Sequence, residues 1–469
     1  VADGENAIIW LRRDLRLDDH PALQHALANG LRPVLLYIHA PDEEAPWAPG
    51  AASRWWLHHS LQALSEAVRA RGGKLILRAG PTRQTLLELI DESGAKTVCW
   101  QRLYDPVLVA RDSTLKRELR ERGIDARSFS GYLLAEPDHL RTQAGDPYRV
   151  FTPFWRQLQG RLDQLDEALP APVSLPPSKL GSLNVAELGL LPKIPWYSGL
   201  DERWTPGEAG AEAALQAFQD DALADYARAR DLPATSGTSR LSPHLHFGEI
   251  SVRRIARRLA GQVGAEPYLR ELGWRDFSHH LLRHFPATPE ENLNRRFDAF
   301  PWAEPEPEQR VAWQRGRTGI PIVDAGMREL WQTGWMHNRV RMITASLLTK
   351  NLRCHWSVGA RWFWDTLVDA NLGNNTQGWQ WTAGTGADAA PYFRIFNPVS
   401  QGERFDPKGD YVRRWVPELA QLAPKQIHQP WSGGGVRGYP APIVDLRGSR
   451  AEALAAFQTL RREPAPADG

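Results

Sequence analysis

Four short apolar runs, AIIWL (7–11), PVLLYIHA (33–40), KLILRAG (74–80) and KTVCWQ (96–101), alternate with helical periodicity at 21–29, 52–71, 83–93 and 107–122. Strands that are apolar along their whole length must be covered on both faces, and intervening helices of this length serve as crossovers. The first third therefore predicts an α/β domain, a doubly wound parallel sheet with helices on either side. A dinucleotide site in such a sheet would carry a G-x-G-x-x-G turn after the first strand. The segment there is WLRRDLRLDDHPAL, which disfavours a classical NAD enzyme. The nearest match elsewhere, Gly384-Thr385-Gly386, lies among helical segments and is too weak to use.

Beyond residue 134 the character changes. Pro, Gly and Ser accumulate in ALPAPVSLPPSKLGSLNVAELGLLPKIPW, as in a long connection. Helical patterns then take over near 209–229, 250–262, 266–283, 308–315, 322–353 and 359–370. A chain of 469 residues exceeds what one core usually supports. The expected division is an α/β domain over 5–134, a linker over 135–205 and an all-α domain over 206–465. No internal repeat is evident, and the APAPADG tail is expected to be disordered.

Bulk charge decides little, because 57 Lys and Arg against 55 Asp and Glu leave +2, so any nucleic-acid contact must come from a local patch. Only Cys99 and Cys354 are present, too few for a disulfide framework or four cluster thiolates, which fits a reducing cytoplasm. VADGENAIIW has no basic segment leading into an apolar one, and no apolar run reaches about 18 residues, so neither export nor a membrane span is expected. His244 with His246, and His279 with His280, lack the accompanying Cys or carboxylate spacing of a metal site.

Chemistry concentrates in the helical part. Seven of the 20 tryptophans fall between Trp331 and Trp381, interleaved with Asn338, Arg341, Asp369 and Asn375. Large helical proteins bury indole for area alone, yet packing does not call for amides and charges among the rings, since these are costly to bury unpaired. Over 335–342, read as helix, Trp335, Asn338, Arg339 and Met342 fall at i, i+3, i+4 and i+7, with Arg341 adjacent. Asp369 is the candidate carboxylate for Arg341. Asn375 falls in NLGNNTQG, which reads as a turn. Upstream, Gly237-Thr238-Ser239-Arg240-Leu241-Ser242 precedes a helical run and reads either as a phosphate cradle or as an ordinary N-cap through Ser239 or Ser242.

These segments, WMHNRVRM (335–342), GWQWTAGTGADAAPYFRIFNP (378–398), GTSRLS (237–242), ELGWRDF (271–277) and WLRRDLRLDDHPAL (10–23), together resemble the photolyase/cryptochrome family, in order along essentially the whole chain. Within it the chain looks most like bacterial class I cyclobutane pyrimidine dimer photolyases. The resemblance implies a Rossmann-like α/β domain and a helical domain holding FAD. Light-driven repair is the implied activity: reduced FAD, excited directly or through an antenna, donates an electron to a flipped-out dimer and recovers it after the ring splits. Tyr226, Thr238, Ser239, Arg240, Leu241 and Ser242 would hold the flavin's ribityl and phosphate portion. Arg275, Trp335 and Asn338 would contact it further along, Arg341 and Asp369 would flank the isoalloxazine, and Asn375 would face its N5.

The lesion pocket implied comprises Glu271, Trp274, Asn338, Met342 and Trp381, with Arg230, Arg339, Arg394 and Gln401 on the DNA backbone. Trp379, Trp356 and Trp302 match the family's electron-carrying tryptophans. Asn371 stands where the family commonly has Asp, which bears on flavin polarity. Asp105 falls in the region where folate-binding relatives often have Glu. The implied antenna is 5,10-methenyltetrahydrofolate, with 8-hydroxy-5-deazaflavin or none as alternatives. The resemblance further implies a cytoplasmic monomer, at the nucleoid when bound to dimer-containing DNA. A cryptochrome photoreceptor is the rival, set against Glu271, Trp274, Met342, Trp381 and the short C-terminus. A (6-4) photolyase would typically show a His pair where Asn338 and Met342 stand. A plain nucleic-acid-binding module would be colourless. Trp331, Trp362 and Trp364 are assigned to packing.

Overall fold

The computed structural model describes residues 4–388 and 393–462. The expected disordered tail and the end of the expected helical domain lie outside these. By contacts the chain forms two compact units, one of residues 1–221 with 239–286 and the other of residues 222–238 with 287–469.

In the first unit, β1 (Asn6–Leu11), β2 (Arg32–His39), β3 (Leu75–Ala79), β4 (Thr97–Gln101) and β5 (Asp125–Phe129) form one parallel sheet in the order β3-β2-β1-β4-β5. Its central strand is apolar from Ala7 to Leu11 and registers Ile8 opposite Val34 on one side and Val98 on the other. The crossovers are α1 (Pro21–Ala28), α2 (Ala51–Ala70), α3 (Thr82–Ser93) and α4 (Pro106–Glu121). Ile8, Trp10, Leu36, Ile76, Leu86, Leu89, Val98, Trp100 and Leu119 make the core between sheet and helices. Each fully buried Leu or Ile contributes about 1.5–3 kcal/mol relative to exposure. The doubly wound sheet expected from the sequence is thus present. β5 is an addition, an edge strand in which Asp125 is exposed and only Ala126 fully buried.

The stretch expected as a linker carries structure of its own. α5 (Phe151–Gln159) and α6 (Ser198–Arg203) lie within it, with α7 (Glu208–Asp221) next in the chain. Phe151, Phe154 and Trp155 fall on one face of α5, and the Trp155 ring packs so tightly on Gly273 that a Cβ there would overlap it. The helix expected over 209–229 breaks after Asp221, and α8 (Tyr226–Ala229) belongs to the second unit. α9 (Ser242–Phe247), α10 (Val252–Leu259) and the 20-residue α11 (Ala265–His284) complete the first unit.

The second unit is helical among its described residues: α12 (Pro307–Gln314), α13 (Pro321–Thr333), α14 (Asn338–Ser346), α15 (Trp356–Thr366), α16 (Leu372–Ala383), α17 (Pro398–Phe405), α18 (Asp410–Trp415), α19 (Pro424–Ile427) and α20 (Leu446–Arg462). The expected helix over 322–353 is interrupted. Gly334, at φ +66°, closes α13, and His337 caps α14 by accepting the Arg339 N–H on Nδ1 at 3.2 Å. Trp335 therefore precedes the helix that carries Asn338, Arg339, Arg341 and Met342, so the i to i+7 face expected from Trp335 does not form. NLGNNTQG is likewise helix rather than turn: Asn371 caps α16 by accepting the Asn374 N–H at 3.0 Å.

Candidate functional site

The polar residues of the tryptophan-rich stretch lie on α14 and α16 and on the segment between α15 and α16. Arg341 donates through one Nη to both oxygens of Asp369, at 3.1 and 2.9 Å, and its Nε donates to the Met336 carbonyl at 2.8 Å. The pairing expected from sequence is present, with Asp369 buried and Arg341 partly open to solvent. The guanidinium also lies 5.9 Å from the buried Trp335 ring.

Asn375 sits on the first turns of α16, buried, and donates from Nδ2 to the Ala360 carbonyl on α15 at 3.0 Å. Its Oδ1 is then an acceptor fixed in orientation. One turn on, Trp379 is 3% exposed, edge-on to Phe363 at 4.9 Å and to Trp313 at 6.2 Å. Trp313, which the sequence did not single out, donates its indole N–H to the Thr344 carbonyl at 3.1 Å. Trp381 is half-buried, with the Arg394 guanidinium 5.8 Å from its ring. The end of α16 is held by Lys350, a buried lysine that donates to the Ala383 carbonyl at 2.5 Å and sits 3.2 Å from the Phe393 ring centre. Burial pulls its ammonium well below the usual lysine range. No sequence pattern marked it.

The other expected residues of this unit are spread over several elements. Asn338 is exposed on the first turn of α14 and Met342 half-buried on the next. Arg339 pairs with Asp231 at 2.7 Å and covers Phe405 at 4.4 Å. Tyr226 is buried, with Arg230 5.4 Å from its ring, Thr238 is half-buried, and Gln401 is half-buried on α17. Trp356 is fully buried and Trp302 half-buried. Trp364 is core as expected. Trp331 is not: it is 57% exposed and stacks on Trp362 at 6.2 Å.

In the first unit, Leu241 rather than a serine occupies the cap position of α9, and Ser242 is its first residue. Ser239 Oγ accepts from the Leu241 N–H at 3.3 Å and is 3.0 Å from the Tyr268 hydroxyl, while Arg240 adopts φ +54°. On α11, Glu271 and Trp274 are half-buried, and Trp274 already stacks one face on Phe151 at 3.6 Å. Buried Arg275 donates to the Tyr132 carbonyl at 2.8 Å. Beside it, Asp276 accepts from the Leu134 and Ala135 N–H groups, and burial pushes its carboxyl up to about 7. Asp105 lies at the carboxyl end of β4, where the strand order reverses and doubly wound sheets bind ligands. It is buried against Arg13 at 2.6 Å, and Arg13 also meets Glu44 at 2.9 Å. Its carboxylate is thus committed inside the domain. Among the described residues no group of three or more metal-ligating side chains occurs, and no helix is long and apolar enough to cross a membrane.

The chain thus joins a five-stranded parallel sheet to a helical array that holds buried indoles, a fixed carboxamide and an Arg–Asp pair. Residues 7–174 match the family model of DNA photolyase, and residues 268–459 that of the FAD binding domain of DNA photolyase. A deoxyribodipyrimidine photo-lyase of Agrobacterium fabrum is 48% identical, over 97% of this chain and 98% of its own. Cryptochrome-2 of Arabidopsis thaliana is 39% identical over 98% of this chain and 79% of its own. The crystal structure of a bacterial class III photolyase from Agrobacterium tumefaciens superposes with a TM-score of 0.93 at 47% identity, covering 99% of each chain. The chain belongs to the photolyase/cryptochrome family, and its helical part carries the family's FAD-binding domain.

Proposed function

We propose that the protein is a light-driven DNA repair enzyme that reverses cyclobutane pyrimidine dimers, of the class III rather than the expected class I kind. The observation that carries this is the 48% identity to a photo-lyase along nearly the full length of both chains. The 47% identity and full coverage of a class III structure supports the subclass.

The residues fit FAD in chemical character. Asn375, its Nδ2 on the Ala360 carbonyl, offers Oδ1 as an acceptor, which suits the ring N–H of a reduced flavin. Arg341, fixed by Asp369 and the Met336 carbonyl, is a planar cation that cannot swing away, and its charge favours an anionic ring. We assign Tyr226, Thr238, Ser239, Arg240, Leu241, Ser242, Arg275, Trp335 and Asn371 to the same cofactor. The chemistry supplied by bound, reduced FAD under blue light is one reversible electron, enough to open the cyclobutane ring of a dimer.

What this chain's side chains do is grip and orient. Trp381 offers an aromatic face with the Arg394 cation beside it, matched to a base and its phosphate. Met342 supplies a deformable thioether surface, and Asn338 an amide for the base edges. Trp274 has one face on Phe151, so the other face or its edge is left for the dimer. Glu271 accepts or shares a hydrogen bond with the dimer's imide edge. Poor stacking of the dimer lowers the cost of extruding it. Arg230, Arg339 and Gln401 are assigned to the backbone nearby. Trp379, Trp356 and Trp302 are assigned to refilling oxidised flavin. For the antenna we retain methenyltetrahydrofolate, with Asp105 structural rather than a contact.

Identity to plant cryptochromes favours one second reading, a photoreceptor. Thymine-dimer oligonucleotides under blue light with reductant decide between them. Restored thymines are expected. Intact dimers in the presence of bound, reduced flavin would refute repair and leave the photoreceptor.

A further inference from the structure

Between the two outer tryptophans of the assigned relay lies a histidine that the sequence did not flag. The Ala303 N–H donates to the Arg353 carbonyl at 2.8 Å, laying the loop of Trp302 alongside residues 353–355. The His355 ring is consequently 5.1 Å from Trp302, edge to face, and 5.3 Å from Trp356. It touches both indoles. Toward Trp379 the path continues through packing: Gly359, three residues after Trp356 on α15, lies against the benzo ring of Trp379.

The hydrogen bonds fix the state of each ring. His355 caps α15, its Nδ1 accepting the Ser357 N–H at 3.3 Å and lying 2.8 Å from Ser357 Oγ, so the proton of the neutral ring is on Nε2. Burial holds this imidazole below the usual histidine range, with Asp298 opposing. Trp302 donates its N–H to the Phe297 carbonyl at 3.2 Å. Buried Trp356 donates to Asn292 Oδ1 at 2.8 Å, and Asn292 donates on to Asp298 at 2.7 Å. An amide oxygen does not take up a proton near neutrality, so an oxidised Trp356 stays a cation and its energy depends on nearby charge.

We propose that His355 is a positioning residue of the relay: an uncharged imidazole that carries the ring contact from Trp302 to Trp356 and leaves the positive charge of an oxidised indole unopposed. This rests on the assignment of Trp379, Trp356 and Trp302. Each step moves one electron and no heavy atom. With FAD bound, Trp379 would supply the electron to its oxidised form, Trp356 would refill Trp379, Trp302 would refill Trp356, and a thiol-class donor in solution would refill Trp302. The charge acting on the imidazole is that of Asp298, which pairs with Arg295; Glu304 and Arg310 act on the adjacent Cys354, and Arg353 pairs with Glu452. An imidazolium at 5.1 Å, at an effective dielectric near 20, would disfavour an oxidised indole by on the order of a hundredfold.

Two variants separate ring from cap. His355→Phe keeps a ring and loses the titration and the cap; His355→Asn keeps a cap acceptor and loses the ring. Flash photolysis of the full chain with oxidised flavin reads the indole radical from about pH 8 down to about pH 4, well below the ordinary histidine range. The wild type is expected to lose roughly tenfold or more of the signal as the imidazole protonates. His355→Phe should give a flat profile, and His355→Asn a low yield throughout at an unchanged melting temperature. Nuclear magnetic resonance of the full chain should show the Trp302 and Trp356 indole N–H signals tracking the His355 titration. A His355→Phe variant that keeps the acid loss, or a His355→Asn variant with wild-type yield, overturns the proposal while the relay stands. If Trp302→Phe leaves the radical yield unchanged, the relay assignment itself has failed and the proposal falls with it.

Discussion

Gly359→Ala tests how tightly the buried indole of α16 is locked. A Cβ at position 359 would overlap three atoms of the Trp379 benzo ring, and even the farthest of them, Cζ2, stands at 2.6 Å where ordinary contact begins at 3.4 Å. The ring would have to retreat by about 1 Å or more, yet it is 3% exposed and backed by Phe363 and Trp313. Overpacking of this kind costs about 1–3 kcal/mol, and three overlapped atoms argue for the upper end. Replacing a helical glycine by alanine returns about 1 kcal/mol, leaving a net loss near 2 kcal/mol. Gly378→Ala is the matched control: it lies on α16, and a Cβ there meets nothing within 4 Å, so the expected change is a gain of up to about 1 kcal/mol. Denaturant unfolding of the two variants side by side should therefore separate them by about 3 kcal/mol. If Gly359→Ala unfolds at or above the midpoint of Gly378→Ala, the ring has slack and the account of its rigidity is wrong.

Two further expectations concern a cap and a buried acid. Asn371→Ala should lower stability by about 1 kcal/mol through loss of the α16 cap, whereas Asn371→Asp keeps the acceptor and should lose less; equal losses in denaturant unfolding would show that the cap is not the relevant contact. Asp276, raised from 3.8 to about 7, binds its proton more tightly folded than unfolded, so its contribution is fully present below about pH 4 and is lost as pH rises through 7. Asp276→Asn should remove that part of the pH slope, and an unaltered slope between about pH 4 and 7 would contradict the burial of this carboxyl.

How legible each element was in the sequence depends on how that element is stabilised. β1, β2 and β4 are buried on both faces along most of their length and β3 over Leu75–Leu77, so their apolar runs stand out against any background. β5 lies at an edge, where DARSF needs only Ala126 for the core, and no apolar pattern remains to be read. α16 looked like a turn because two glycines and three asparagines crowd residues 371–378. Asn371 was in fact the start signal, since a capping side chain outweighs the low helix propensity of the residues after it. The break between α13 and α14 was hidden for the opposite reason: Trp335, Asn338, Arg339 and Met342 keep helical spacing across the His337 cap, just after the glycine that ends α13. The aromatic stripe of α5 was readable and was obscured by the proline-rich stretch after it. Asp369 as the partner of Arg341 could be inferred from charge alone. Lys350 and His355 could not be found that way, because their significance lies in neighbours remote in sequence.

α16 is pinned at both ends, by the Asn371 side chain at its start and by Lys350 Nζ donating to the Ala383 carbonyl at its finish. A helix so held acts as a ruler with both zero and full scale clamped. Asn375, Trp379 and Trp381 are graduations on it, the first two one turn or about 6 Å apart along the axis. Insertion or deletion of a single residue between Asn375 and Trp379 would turn everything beyond it by about 100° and could not be absorbed by sliding. Change along this segment is thus confined to substitution at fixed length, and any lengthening must occur in the loops outside the clamps.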